Sequence, residues 1–203
     1  MVPEYAKSWY YIRGRNREQV DEVRRRLLLC AKGAATATET KMKWTRITSM
    51  YSRLPNDALF ETVGEAVREV GSPRASATDR KHARNAGLPG EFNLEVGPGA
   101  TEPGRASSDQ DTVSWLAPFV SFNMVCSPKG TQGHHRQTHE VTGHPFAYKG
   151  MMNAAAIFAV AVDKLTAEPE RMKKIESEFR RRTRGFEFDP LIPKRQRVPD
   201  DLW

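Results

Sequence analysis

The pattern of apolar and polar positions begins with a short extended segment that is followed by a helix. Residues 8–13, Ser-Trp-Tyr-Tyr-Ile-Arg, are rich in aromatic and β-branched side chains, a composition typical of a strand. Asn16 then stands where a helix N-cap is expected, and Gln19 three residues later completes the pattern of a capping box. Apolar side chains recur at helical spacing as far as Ala34, so the pattern predicts a strand and then a helix.

Two further elements and a long loop are predicted next. Residues 41–51 alternate loosely between apolar and polar side chains, which indicates a second strand. Asn56 is another N-cap candidate for a helix that Gly71 would end. Residues 72–105 are rich in Gly, Pro, Ser and charged side chains, and they predict a loop with one short helix near residues 78–85.

The rest of the chain is predicted to contain a buried strand and two helices. Residues 113–125 are apolar and β-branched, as in the centre of a mixed sheet. Residues 130–150 lack a helical stripe and indicate loop and short strand. A nearly continuous apolar face predicts a helix over residues 149–165, and Pro169 begins a last helix that Gly185 ends. The elements together predict the α/β class with a mixed sheet.

The 203-residue chain carries a formal net charge of +7, from 32 Lys and Arg against 25 Asp and Glu. Such an excess can serve nucleic-acid binding, because clustered cations release counterions from phosphate backbones. Much of the excess lies in residues 180–184 and 194–197, where no nucleic-acid-binding motif and no interleaved aromatic side chains accompany it. A solvated helix face followed by a basic tail is the preferred interpretation, and nucleic acid is not an expected partner.

The cysteine pattern and the termini predict a cytoplasmic protein. The two cysteines, Cys30 and Cys126, lie far apart and lack the dense framework of a secreted disulfide protein, which favours reduced thiols. The first residues have no signal-peptide pattern, and the longest apolar segment, residues 151–162, is too short to cross a bilayer. We therefore expect neither a leader nor a membrane span.

Four of the five histidines, His134, His135, His139 and His144, fall within eleven residues. Imidazole is the commonest metal ligand in proteins. A metal site needs three or four converging ligands, however, and no HExxH or CxxC spacing is present. Loop histidines that bond to backbone groups explain the cluster as well, so spacing alone leaves both interpretations open.

A resemblance to a known family extends in order through almost the whole chain. The segments that carry it are residues 2–13, residues 31–35, Leu54-Pro55-Asn56, Asp109 with Val113-Ser114-Trp115, Gly130-Thr131 with His134, and Lys149-Gly150-Met151. These segments resemble metal-dependent amidohydrolases of the aminobenzoyl-glutamate utilization type, which are related to carboxypeptidase G. Complete members of that family use zinc or manganese.

The resemblance implies a catalytic α/β domain that is interrupted by a smaller lid or dimerisation domain. Residues 1–52 would be part of the lid domain, a strand, a helix and a strand, and residues 53–203 would be the C-terminal part of the catalytic domain with a basic tail. The family's His-x-Asp ligand pair and acidic pair have no counterpart upstream of Trp9. We therefore expect only the C-terminal half of such an enzyme, inactive alone and binding metal weakly or not at all.

Candidate site residues also come from the resemblance. The family's last metal ligand is a histidine in a Gly-His-Lys-Gly-Met pattern, but this chain has Tyr148 there, and a phenol with a pKa of about 10 is a poor substitute. His144, four residues earlier, is the candidate replacement ligand. His134 would bind the substrate or the oxyanion, and Asp109 would orient a ligand or the binding loop. The plainer alternatives are a loop hydrogen bond for His134 and a turn or helix cap for Asp109.

The resulting hypothesis is a fragment or split subunit of a metal-dependent amidohydrolase. Its substrate would be a small amide such as aminobenzoyl-glutamate or an acyl-amino acid. Its partners would be further subunits in a homo- or hetero-oligomer, including an N-terminal half subunit. The alternative is a non-catalytic interaction or dimerisation module derived from the same family.

Overall fold

The computed structural model of the protein describes residues 3–95, 97, 108–190 and 192, and in them the regular elements are helices. Seven helices occur in this part of the chain: α1 (Arg17–Ala37), α2 (Asp57–Val70), α3 (Ala77–Asn85), α4 (Asp109–Val113), α5 (Arg136–Thr142), α6 (Pro145–Ala167) and α7 (Pro169–Arg182). No strand is present among these residues, where Phe122 alone forms an isolated bridge. The predicted α/β class with a mixed sheet is therefore wrong for the described residues.

The predicted strands fail because a strand requires a neighbouring strand as well as a suitable composition. Residues 8–13 and 41–51 have no regular secondary structure and belong to no ladder in the described part of the chain. Residues 113–125 begin at the last residue of α4 and continue as a turn and irregular backbone. Aromatic and β-branched side chains favour extended backbone, whereas a sheet also needs the backbone groups of a second edge.

The predicted loop and short strand over residues 130–150 is also wrong. Helix α5 occupies its centre, and α6 begins five residues before its end. His135 caps α5, because its Nδ1 accepts a hydrogen bond from the Gln137 N–H at 3.2 Å. Pro145 occupies the first turn of α6, the position where proline fits a helix best.

The described residues divide into two compact units. The first contains residues 3–53, 108–116, 187–190 and 192, and the second contains residues 54–95, 97 and 117–186. Helices α1 and α4 belong to the first unit, and the other helices belong to the second. The assignment of residues 1–52 and 53–203 to a lid and a catalytic domain stays a prediction.

Helix α1 begins as its sequence predicts, but it has no fully buried residue. The Asn16 side chain accepts a hydrogen bond from the Gln19 N–H at 3.0 Å, and the Gln19 side chain accepts one from the Arg15 N–H at 2.7 Å. No residue along the 21 positions of α1 is buried, and Val23 and Leu29 are exposed. The cap therefore fixes where the helix starts, while its apolar side chains are at most half-buried.

The core of the second unit forms where α2 packs against α6. Val63, Ala66 and Val67 of α2 meet Ile157 and Ala161 of α6, and the Ile157 side chain is 0% exposed. Burying an aliphatic side chain of this size stabilises a fold by about 1.5–3 kcal/mol. This contact is the centre from which the neighbouring loops are positioned.

Helix α7 closes the N-terminus of α2. The Asn56 side chain accepts from the Leu59 N–H at 2.9 Å and donates to the Ile175 carbonyl at 3.0 Å. The Glu178 carboxylate accepts from the Asp57 N–H at 3.0 Å and the Ala58 N–H at 2.9 Å. The free N–H groups of the first turn of α2 are thus satisfied by its own cap and by α7.

Helix α6 is long and apolar enough to cross a membrane by length and composition, and 28% of its most apolar stretch is buried. The core helix of a globular unit meets the same criterion, and α6 packs against α2.

Gly150 sets how closely α6 approaches the segment before α5. A methyl group at its Cα would lie 2.5 Å from the Val125 carbonyl oxygen and 2.7 Å from the Cys126 Sγ. Cβ atoms essentially never lie this close to another heavy atom, so only glycine fits unless the backbone moves.

We therefore expect Gly150→Ala to lower the free energy of unfolding by about 1–3 kcal/mol, the usual effect of overpacking. Gly143→Ala is the matched control, because Gly143 has a φ of −83° and open space around its Cα. Its effect should stay within about 0.5 kcal/mol. Urea unfolding of the three proteins measures both changes, and equal midpoints for the two variants would contradict the close contact.

Candidate functional site

An open groove of about 600 Å³ lies between the first turns of α6 and the segment that leads into α3. Its lining residues all belong to the second unit, and they are Pro73, Arg74, Ala75, Ser76, Pro145, Tyr148, Lys149, Met152 and Asn153. The lining thus combines cationic, hydroxyl and amide groups with apolar surfaces.

One wall of the groove is fixed by an ion pair between α3 and α6. Lys149 Nζ lies 2.5 Å from the Asp79 carboxylate, whose side chain is only 2% exposed. The same carboxylate accepts from the Ser76 N–H at 2.7 Å and from the Ser76 hydroxyl at 2.6 Å, which completes the capping box of α3. Asp79 therefore caps one helix and anchors another.

The surroundings of Asp79 hold its carboxyl group in the ionised form. Burial alone would raise the pKa of Asp79, because it disfavours a charge. The hydrogen bonds from Lys149 and Ser76, together with the positive charge of Lys149, outweigh burial and lower the pKa from 3.8 to about 2. The ion pair is therefore intact at neutral pH.

Two polar groups of the groove are left available for a ligand. The Arg74 guanidinium forms no ion pair or hydrogen bond within the described residues, although its carbonyl accepts a weak bond from Lys149 at 3.5 Å. The Tyr148 side chain is 55% exposed, and its hydroxyl has no hydrogen-bond partner in the same part of the chain. Both groups can bind an anion that enters the groove.

His144, the candidate replacement ligand, contacts the ring of another histidine. The His82 and His144 rings lie 5.4 Å apart and meet edge to face. They line a small cavity of about 10 Å³ together with Asp79, Cys126 and Phe146, which is space for about one water molecule. Burial raises the pKa of the Cys126 thiol, so it is a poor nucleophile here.

His82 is the residue of this small cavity that sequence reasoning missed. It lies outside the group of four histidines, and its position on α3 gave no motif. Its Nδ1 atom is buried without a hydrogen-bond partner in the described residues. His82 lies within the short helix predicted near residues 78–85, and the capping-box pattern Ser76 to Asp79 is the signal that could have fixed the start of that helix.

The other two predicted site residues are not among those that line the groove. His134 is exposed in the turn before α5 and has a positive φ of 55°. Asp109 is the exposed first residue of α4 in the first unit, where its carboxylate accepts from the Ser108 hydroxyl at 2.9 Å and the Gln110 N–H at 3.0 Å. Tyr148 and His144 share the start of α6, whereas Asp109 lies in a different unit.

The buried carboxylate of the first unit is Asp111 instead. It is 7% exposed, forms an ion pair with Arg53 at 2.8 Å and completes the capping box of α4 with Ser108. Asp109 therefore lies at the start of α4, whereas Asp111, two residues later, supports the packing of α4.

The residues at the groove do not fit a metal ion as they stand. Among residues 3–95, 97, 108–190 and 192, no group of three or more His, Cys, Asp or Glu side chains could hold one. Tyr148 shares the groove with Arg74 and Lys149, and these positive charges oppose a metal cation. The chemistry available here is anion binding by Arg74 and hydrogen bonding by Tyr148.

Comparison with known proteins shows that the chain is similar in sequence to a subunit of an aminobenzoyl-glutamate hydrolase. Over 226 aligned residues it is 26% identical to one of the subunits of p-aminobenzoyl-glutamate hydrolase from Escherichia coli (strain K12), and the alignment covers 96% of this chain and 47% of that protein. The chain therefore spans about half the length of the curated relative that it matches. The predicted resemblance is confirmed as a partial-length match. No protein-family model and no solved structure matches the chain.

Asp79 provides a test of the groove wall through pH. Its folded-state pKa of about 2 lies below the ordinary value of 3.8, so its stabilising contribution is present above pH 4 and is lost as pH falls towards 2. We expect the difference in unfolding free energy between the native chain and Asp79→Asn to shrink by up to about 2 kcal/mol over this window.

The matched control is Asp163→Asn on the exposed side of α6, where the carboxylate forms no ion pair in the described part of the chain. This variant removes a carboxylate without breaking an ion pair in the described part of the chain. Denaturant titrations at pH 5, 4, 3 and 2 measure both differences. A pH-independent effect of Asp79→Asn would show that the ion pair does not form in solution.

Proposed function

We propose that the chain is part of an amide hydrolase that acts on aminobenzoyl-glutamate or a related acyl-amino acid. In this proposal it supplies one wall of the substrate site, and the catalytic groups come from protein equivalent to the other half of the E. coli relative. The observation that carries the proposal is the match to a hydrolase subunit over 96% of this chain.

The groove at Tyr148 suits a substrate of this kind in size and chemistry. Its volume of about 600 Å³ falls within the range of small-molecule sites. Arg74 can pair with a carboxylate through two parallel hydrogen bonds. Tyr148 and Met152 offer an aromatic face and a thioether on which an aryl ring can pack. Lys149 keeps this wall in place through Asp79.

The side chains of the groove bind and orient in this proposal, but they do not hydrolyse. Neither Arg74 nor Lys149 is suited to act as a general base at neutral pH, because Arg is protonated and Lys149 is held by a buried carboxylate. Tyr148 can donate a hydrogen bond to a substrate oxygen. A metal, as the resemblance implies, would have to be held by ligands that the described part of the chain does not bring together.

A second candidate function is a non-catalytic interaction module. The observation that favours it is the extent of uncovered apolar surface, because α1 buries none of its residues and Met151, Met152 and Phe158 of α6 are exposed. The two candidates differ in one measurable respect. A hydrolase part becomes active when it is completed, whereas an interaction module binds without turnover.

We expect the purified chain alone to release no p-aminobenzoate from aminobenzoyl-glutamate with zinc or manganese added. Addition of the portion of the E. coli relative that lies outside the match should give turnover that a chelator abolishes. In that complex Arg74→Ala should raise KM by about tenfold with a smaller change in kcat, because its contact is made to bound substrate as well as to the transition state.

The matched control is Lys174→Ala, which removes an exposed cation of α7 that forms no ion pair among the described residues. It should leave both constants unchanged. Metal-dependent turnover by the chain alone would show that it does not need the unmatched portion of the relative for activity. A complex that forms without turnover would favour the interaction module over the hydrolase.

A further inference from the structure

Helix α6 carries two apolar faces on opposite sides. The face that packs into the second unit contains the buried residues of the helix, namely Phe146, Ala147, Gly150, Ile157 and Ala161. The opposite face is exposed and contains Tyr148, Met151, Met152, Phe158 and Val162, each between 55% and 63% exposed. We call this second set the open face of α6.

The open face is continuous and uncharged. Between Lys149 and Asp163 the sequence contains no charged residue. At about 1.5 Å per residue, the distance from Tyr148 to Val162 is about 21 Å, or four turns. A helix that is apolar all round is ordinarily buried on all sides. An apolar strip of this length on a surface marks a site that binds another protein or a membrane.

We propose that the open face of α6 is a docking surface for the protein segment equivalent to the part of the E. coli relative outside the match. This inference rests on the proposed function. The match accounts for 96% of this chain but 47% of the relative, so about half of the relative has no counterpart in these residues. That remainder is a segment of sufficient size to cover a four-turn helix.

The open face is also continuous with the groove. Tyr148 and Met152 belong to both, and Arg74 lies at the same end. A segment seated on the open face would therefore roof the groove. The Arg74 guanidinium has no ion-pair partner in the described residues. In the complex it would therefore pair with a carboxylate, either of the docked segment or of the bound substrate. Docking would thereby convert an open groove into an enclosed site.

Two other occupants would use the same apolar surface. A second copy of the chain could pack its own open face there, although a net charge of +7 on each copy opposes the approach. A lipid surface could accept Met152 and Phe158, since α6 has the length and composition of a membrane-crossing helix. Both are outcomes that the experiment must distinguish from the proposal.

The chain contains its own footprinting probes. Met151 and Met152 lie on the open face, whereas Met172 is a similarly exposed methionine on α7. Peroxide oxidation followed by peptide mass spectrometry reports the accessibility of each. On addition of the relative's unmatched portion, we expect oxidation of Met151 and Met152 to slow at least fivefold and oxidation of Met172 to remain unchanged.

A substitution provides the second arm. Phe158→Glu should weaken binding of that portion about tenfold or more in calorimetry. The variant loses an aromatic side chain that docking would bury, and docking would have to remove a charge from water. Met172→Glu is the matched control and should bind normally. Circular dichroism and unfolding midpoints check that both variants fold, and the footprinting arm stands without either variant.

The proposal is overturned if the unmatched portion fails to bind or if Met151 and Met152 stay accessible in the complex. It is also overturned if sedimentation shows a homodimer that Phe158→Glu dissociates, or if vesicles of phosphatidylcholine and phosphatidylglycerol protect Met151 and Met152. Turnover decides the proposed function separately. Protection of Met151 and Met152 without turnover supports docking and contradicts the proposed hydrolase function. Turnover without this protection supports the hydrolase function and contradicts docking.

Discussion

The packing of α6 against α2 is the contact on which the rest of the second unit depends. Ile157 is wholly excluded from water between Val63 and Val67, and Gly150 allows the same helix to pass close to the backbone at Val125. These two contacts fix both the depth and the rotation of α6. The positions of Tyr148 and Lys149 at the groove follow from that rotation.

Local signals in the sequence predicted where helices start and end. Asn16, Asn56 and Pro169 each occupy the helix-initiating position expected of them, and Gly71 ends α2 with a φ of 71°. A cap is made between residues three or four positions apart, so its chemistry is visible in a short window of sequence. The strand predictions needed a neighbouring strand, which composition at residues 8–13 does not reveal.

The candidate site was predicted less completely, because its contacts join residues that lie far apart in sequence. Tyr148 was identified through resemblance and lines the groove, but nothing local indicated that Arg74 would stand beside it. The ion pair of Lys149 with Asp79 spans 70 residues. Similarly, the sequence drew attention to Asp109, whereas the buried carboxylate is Asp111, whose partner Arg53 is 58 residues away.

The way α7 closes α2 has a consequence for the synthesis of the chain. The groups that satisfy the first turn of α2 come from Ile175 and Glu178, which follow their partners by 119 to 121 residues. At about 5–20 residues per second, a ribosome would take roughly 6–24 seconds to produce that interval. During this time α2 has been synthesised but α7 has not. The first-turn N–H groups of α2 therefore lack the carboxylate of Glu178 until α7 has left the exit tunnel.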